Sequence, residues 1–527
     1  ASGVALVTLP LATFFAVQRA STFDWNFLVQ NLLMTIAWFV AIVAMHAVMP
    51  AGRRAVGGMS LAMAAGVLLT AGVARGPAAA ALDTRLTRGT FVPEFALDAY
   101  AAVEPSYRLL RQLLAMESAD STAFYARLRA HSLIQHVDVA PINVDLVDAP
   151  VPAASQPPPD IYLFVIDSLR SDYVSPYNPA VTFTPAMARF AAEPDTTVFR
   201  RHFSRYGGTG LSMPAIWAGG MILHKEYVLP FTPMNALGKL LNANRYRARI
   251  SLDHITADLV AADLPHDELD RGRDEMDYDF CATLGELQGV LSDRPAPAPL
   301  FAHTRSLNLH VSKLTKGSAV SDISRGFVGP AAEAIGRMDA CFGGFIDTLK
   351  SLGRYDRSII ILTSDHGDSL GEAMRWGHAN TLFPEIVRAP LLMRVPARWR
   401  HGLAADAGHV SFSTDLTPTL YRLLGYQPVD RGWVYGRSLF DEPGAARADR
   451  GPVLVASSYG PVYGLVEDDG RRLYVADGIR GTDFAWDLAD LRPARVGVTP
   501  ARRASSRALI ASRLDALAAM YHFPPAP

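Results

Sequence analysis

Two runs constrain this chain more than any other feature: "DIYLFVID" at 160–167 and "RSIIILTSDHG" at 357–367. Each is an unbroken apolar stretch of strand length, and each ends on a carboxylate. Apolar runs without polar alternation fit strands covered on both faces, as inside a parallel sheet. Ligand-binding and catalytic groups collect at the C-terminal ends of such strands. The pattern therefore predicts Asp167, and Asp365 with His366, along one sheet edge. A helical stretch, "GPAAEAIGRMDACFGGFIDTLKSLGRYD" (329–356), precedes the second run. Helix then strand predicts an α/β domain with a mostly parallel sheet between helices. "RAPLLMRVP" (388–396) reads as a further strand and "STDLTPTLYRLLGY" (413–426) as a capped helix.

The front of the chain reads differently. Half of the 527 residues are hydrophobic and the mean hydropathy is +0.12. The excess lies in three apolar segments, 3–17, 27–49 and 56–74. A run of about 20 apolar residues crosses a bilayer as a helix, so residues 1–76 are expected to form a transmembrane anchor of about three helices. The first segment also fits a signal-peptide core, and the third a buried soluble helix. Arg53 and Arg54 in the connector "PAGRRA" place that loop in the cytoplasm. The third span then runs outward and delivers everything after residue 76 to the outside face. Residues 77–159 read as juxtamembrane helices and a proline-rich linker, "DAPVPAASQPPPD", leading to a catalytic domain at 160–527. The chain opens on alanine and is expected to begin inside a longer precursor. A net charge of −1, with no basic stretch laced with aromatics, argues against a nucleic-acid partner. Two cysteines, Cys281 and Cys341, make no disulfide framework, and whether they pair stays open.

"RYGGTGLSMPAIWAGG" (205–220) sets Thr209 between glycines at the mouth of a predicted helix. Helix N-termini favour anionic phosphoryl groups. A divalent metal held by Asp167, Asp365 and His366 can bind the Thr209 hydroxyl and lower its pKa, giving a nucleophile at neutral pH. Zinc suits this donor set best; manganese or magnesium also fits.

The order of the pieces adds specificity. It runs from strand–Asp167 through Thr209 and "HTRSLNLH" (303–310) to Asp365-His366-Gly367 and "GH" at 377–378. This resembles the alkaline phosphatase/sulfatase superfamily, and within it the membrane-anchored lipid A phosphoethanolamine transferases and lipoteichoic acid synthases, over about residues 160–440. The resemblance implies an alkaline-phosphatase-like domain with Thr209, not Ser212, as the nucleophile. It makes Asp167, Thr209, Asp365 and His366 ligands of a tight metal. It gives His378 and His310 to the substrate phosphate or a second metal, with His303 a rival for the place of His310. It implies an integral protein of the bacterial inner (cytoplasmic) membrane with a periplasmic catalytic domain. The activity implied is transfer of a phospholipid head group, phosphoethanolamine or phosphoglycerol, to an envelope glycan or lipid acceptor through a phosphothreonine. The alternative is a membrane-tethered phosphate- or sulfate-ester hydrolase.

Three departures stand out. "SMPAI" (212–216) ends in Ile216 where formylglycine sulfatases need arginine. Two cysteines cannot supply the several disulfides of the well-known phosphoethanolamine transferases. Three spans stand where five are common. Ordinary structural or surface roles are expected for His254, Asp339 and Lys313, and Arg170 and Arg205 are near-site candidates by sequence proximity only. Asp368 and Glu372 read as carboxylates in the first turn of a helix.

Overall fold

The computed structural model describes residues 157–222, 230–293, 299–316 and 326–522, with short breaks at 373–374, 379–380, 446–448 and 492, together with 119–132, 142–148 and Ile36. The anchor expected at 1–76 lies outside the described residues apart from Ile36. Among the described residues, no helix is long and apolar enough to cross a membrane.

A seven-stranded sheet forms the centre. Its strands are β1 (Asp160–Ile166), β2 (Thr196–Val198), β3 (Arg247–Ser251), β4 (His266–Leu269), β5 (Leu300–Ser306), β6 (Ser358–Thr363) and β7 (Leu391–Arg394). Their order is β2-β7-β6-β1-β5-β3-β4. β1 pairs in parallel with β5 and β6, and β3 with β4 and β5. β7 runs antiparallel to β6 and β2. The two apolar runs that lead to Asp167 and Asp365 are thus central neighbours, with Val165 opposite Thr363.

Alternation along β1 explains the layers. Ile161, Leu163 and Val165 face one apolar cluster. Tyr162, Phe164 and Ile166 face another. The first cluster is closed by helix α2 (Thr209–Ala218), the second by α3 (Phe280–Asp293) and α4 (Gly329–Ser351). Phe345 of α4 sits edge-on to both Tyr162 and Phe164. Burying such a side chain contributes about 1.5–3 kcal/mol, so the sheet needs both helical layers. Cys281 of α3 and Cys341 of α4 form a disulfide with Cα atoms 5.3 Å apart. Asp339 accepts from the amides of Ala186 and Met187, holding the start of the helix Pro185–Ala191.

A second sheet follows, five-stranded and antiparallel: β8 (Val453–Ala456), β9 (Val462–Glu467), β10 (Arg472–Asp477), β11 (Thr482–Asp487) and β12 (Ala494–Val496). Helix α5 (Pro500–Met520) packs on it. So does α1 (Ala119–Ala130), whose Tyr125 hydroxyl donates to Asp483 at 2.9 Å. Part of the stretch read as juxtamembrane is therefore packed against the C-terminal sheet.

Candidate active site

The C-terminal edge of the central sheet carries the site. β1 runs out into Asp167, whose amide is tied to the Ser306 carbonyl at the end of β5. β6 runs out into Asp365 and His366. Gly367 can follow only as glycine: a Cβ there would stand 2.1 Å from the Glu385 carbonyl oxygen. Ser168 adopts a left-handed backbone, φ 62°, which is strained for a non-glycine residue and typical of functional turns. Its hydroxyl donates to Asp167 at 2.8 Å.

Thr209 is the first residue of α2, and its hydroxyl lies where these groups converge. Oγ1 is 2.7 Å from Asp365 Oδ2, 3.1 Å from Asp167 Oδ2 and 3.1 Å from His366 Nε2. All four side chains are buried. One ligand atom from each of Asp167, Asp365 and His366 lies within 4.8 Å of the others. Nδ1 of His366 is 2.9 Å from the Gly367 carbonyl; it must donate there, leaving the Nε2 lone pair toward Thr209. Two carboxylates, an imidazole lone pair and a hydroxyl at one point form a donor set that fits a tetrahedral divalent metal. Ser212, one turn along, is turned away and donates to the Asp365 carbonyl at 2.6 Å.

His378 and His310 flank this cluster. The His378 ring centroid is 4.1 Å from that of His366 and 6.2 Å from that of His310. Nδ1 of His378 is 3.0 Å from Asp368 Oδ1. Burial opposes its charge, but Asp368, Asp167 and Asp365 outweigh burial and raise its pKa above the ordinary histidine value. His310 is lowered, mainly by burial. Burial alone would raise Asp167; Arg305 and the three histidines overcome it and hold the carboxyl well below the usual range.

The structure brings together Asp167, Thr209, Asp365, His366, His310 and His378. His303 is elsewhere. Phe301, His303 and Arg305 alternate onto one face of β5. His303 lands in the core beside Trp217 and Phe301, fully buried, with no hydrogen bond to its ring nitrogens among the described residues. Its rivalry with His310 ends there. Asp368 is not on a helix, while Glu372 opens a short 3-10 turn. They flank Ser369–Leu370, which pairs with Trp376–Gly377 as a hairpin: Asp368 just before it holds His378, and Glu372 in its connection pairs with Arg170. His254 is exposed and paired with Glu275.

Two contributors were not singled out from the sequence. Arg305 ends the same alternation at the sheet edge, 3.0 Å from Asp167 Oδ2, with Asp253 on its other side. Strand parity from His303 would have found it. Tyr459 lies on the β8–β9 turn, and its hydroxyl accepts from the Gly210 amide at 3.1 Å. A Cβ on Gly208 would meet the Tyr459 ring at 2.7 Å. The glycines beside Thr209 thus make room for a tyrosine 249 residues away from Gly210, and no local signal announces it.

An α/β sheet with a buried hydroxyl and metal-type ligands at its C-terminal edge is consistent with an enzyme of the alkaline phosphatase-like superfamily. The sulfatase family profile matches residues 159–426, about half of the chain, and the protein belongs to that family. A choline-sulfatase of Rhizobium meliloti is 34% identical over 149 residues, 27% of this chain and 28% of that protein. The chain matches about a third or less of each curated relative's length. A putative sulfatase structure from Bacteroides thetaiotaomicron superposes with a TM-score of 0.52 at 16% identity, covering 69% of this chain and 94% of that one; it shares the fold. The C-terminal periplasmic domain of EcEptC from Escherichia coli, solved in complex with Zn, matches at 15% identity and a TM-score of 0.44, covering 58% of this chain and 93% of that one.

Proposed function

We propose that this chain is a phosphotransferase that moves a phospholipid head group, phosphoethanolamine or phosphoglycerol, onto an envelope glycan or lipid acceptor. The observation that carries the reading is Thr209, a buried hydroxyl in contact with two carboxylates and an imidazole lone pair. A threonine cannot be oxidised to formylglycine, and Ser212 is committed to the Asp365 carbonyl. This disfavours the formylglycine route to sulfate esters.

Asp167, Asp365, His366 and Thr209 would hold the metal, zinc by preference. When bound, it supplies a Lewis acid that acidifies the hydroxyl and offsets negative charge on the substrate's phosphoryl oxygens. The acidified Thr209 hydroxyl gives its proton to solvent, and Oγ1 forms a bond to phosphorus. The bond from phosphorus to the diglyceride oxygen breaks; the electron pair leaves with that oxygen, which takes a proton from His378. An acceptor hydroxyl then attacks phosphorus in line and gives its proton to the same histidine; the bond from phosphorus to Oγ1 breaks, the electron pair stays on Oγ1, and Thr209 takes back a proton from solvent. Asp368 orients His378 for both transfers. His310 steadies the phosphoryl group.

The inner-membrane, periplasmic placement is part of the proposal. The Cys281–Cys341 disulfide supports it, since disulfides persist in oxidising compartments. The expected anchor supports it too, because it would set the site beside its lipid donor. Product analysis with phosphatidylethanolamine or phosphatidylglycerol and an envelope extract tests the reading. A modified acceptor with diglyceride release is expected; free head group as the sole second product would make the enzyme a hydrolase.

A further inference from the structure

A cleft of about 810 Å³ opens where the edge of the central sheet meets the C-terminal sheet. It is lined by residues 200–203, by the segment 384–388 and by the β11–β12 connection. Clefts between two packed units are common ligand sites, and this one takes no part in the chemistry described above.

Its charge is unevenly compensated. Six arginines line it: Arg170, Arg200, Arg201, Arg375, Arg388 and Arg471. Arg170 is paired with Asp172 and Glu372, Arg201 with Asp469, and Arg375 with Glu385. Among the described residues, no carboxylate comes within ion-pair distance of Arg200, Arg388 or Arg471. Of the lining carboxylates among the described residues, Asp490 alone is outside an ion pair. Arg388 donates to the backbone carbonyls of Leu488 and Asp490. Burial lowers its pKa, against Asp172, Asp487 and Asp490, which raise it. This half-buried guanidinium is held by carbonyls and has its carboxylates beyond ion-pair distance, so it retains capacity for an anion.

Two unpartnered donors lie sealed within the same walls. Trp486 Nε1 and Arg375 Nε are buried and have no hydrogen-bond partner among the described residues. Buried donors are normally satisfied. Trp486 stands edge-on to Phe383, and the Arg375 guanidinium lies over the Phe383 ring, 3.9 Å from its centroid. Surplus positive charge beside an indole at a half-buried wall suits a ligand with an acidic group and a flat ring face.

We propose that this cleft is a second binding site, for an anionic saccharide, with its acidic group taken by Arg200, Arg388 and Arg471 and its ring by Trp486. The cleft also touches the catalytic loop: Arg170 Nη1 donates to the Asp368 carbonyl, and Gly367 packs against the Glu385 carbonyl. The proposal stands on residues outside the metal-type cluster and does not need the transfer reading. Where that reading holds, the ligand is the acidic sugar of the acceptor.

The test is isothermal titration of the full chain, zinc-loaded, with glucose 6-phosphate, glucuronate, glucose and inorganic phosphate. Glucose 6-phosphate and glucuronate are expected to bind saturably and glucose not to bind. Arg388→Gln with Arg471→Gln should weaken glucose 6-phosphate at least tenfold, and Trp486→Ala similarly. Arg471→Gln alone, at an exposed position that leaves the fold intact, should weaken it about threefold. All three variants should still form the Thr209 adduct at the wild-type rate. The proposal is overturned if no saccharide binds saturably, or if the variants bind as wild type does. Inorganic phosphate binding as tightly as glucose 6-phosphate would overturn the saccharide assignment. Loss of the adduct with cleft binding intact would count against the transfer reading and leave the cleft standing.

Discussion

The two sheets of this protein contribute to one site in different ways. The parallel sheet supplies reacting groups: Asp167 after β1, Asp365 and His366 after β6, all close to a strand end. The antiparallel sheet supplies fit. Its β8–β9 turn lays Tyr459 against Gly208 and Gly210, on either side of Thr209. Chemistry comes from residues that strand geometry gathers locally. The pose of Thr209 is braced by a contact across 249 residues.

The sharpest break in that comparison is Asp365→Ala. It removes a strand-end carboxylate without touching the second sheet. Head-group transfer should fall at least about a thousandfold, with tight zinc lost in a chelator competition. Unaltered zinc affinity would place the metal elsewhere. Next in size is the disulfide, which ties two helices that cover only the parallel sheet. Cys281→Ser with Cys341→Ser should cost about 2–4 kcal/mol in urea unfolding. Faster hydrogen exchange should be confined to α3 and α4; exchange rising equally in β8–β12 would show that the sheets are not separately braced.

Gly208→Ala probes the contact between the sheets. Its Cβ would collide with Tyr459 and should cost about 1–3 kcal/mol. The backbone there is extended, φ 179°, so no conformational strain adds to this. Combining it with Tyr459→Ala should restore at least about 1 kcal/mol in a double-mutant cycle; strictly additive costs would contradict the contact. The smallest effect is in the parallel core. Burial lowers the His303 pKa to about 3, so His303 stays neutral when folded and protonates when unfolded below about pH 6.5. Its contribution is complete above that pH and is lost as pH falls toward 3, at about 1.4 kcal/mol per unit. Comparing urea midpoints at pH 7.5 and 5.5, His303→Leu should lose less stability than wild type; equal losses would mean the imidazole is solvated.

Much of the first sheet was legible in the chain because its signals are local. "DIYLFVI" and "SIIILT" are apolar on both faces and lead into ligands, and Thr209 is marked by its glycines. β7 was legible as a strand but not as an antiparallel one, since direction is settled by tertiary packing. The second sheet had a usable signal that went unread: "VYGLVEDDGRRLYVAD" (462–477) is two strand-like runs about an Asp-Gly turn. Tyr459 itself had none. His303 misled because a histidine near a strand end looks like a ligand until alternation sends it into the core. Asp368 misled because a carboxylate after a glycine turn resembles a helix start, whereas here a hairpin follows.

The central claim is that Thr209 becomes covalently phosphorylated during turnover. The direct measurement is the intact mass of the zinc-loaded chain after incubation with vesicles of phosphatidylethanolamine or, separately, phosphatidylglycerol, for wild type and Thr209→Ala. The account predicts a gain of one head group from one of these lipids in the wild type and none in the variant. No gain in the wild type with either lipid, or an equal gain in Thr209→Ala, would contradict it.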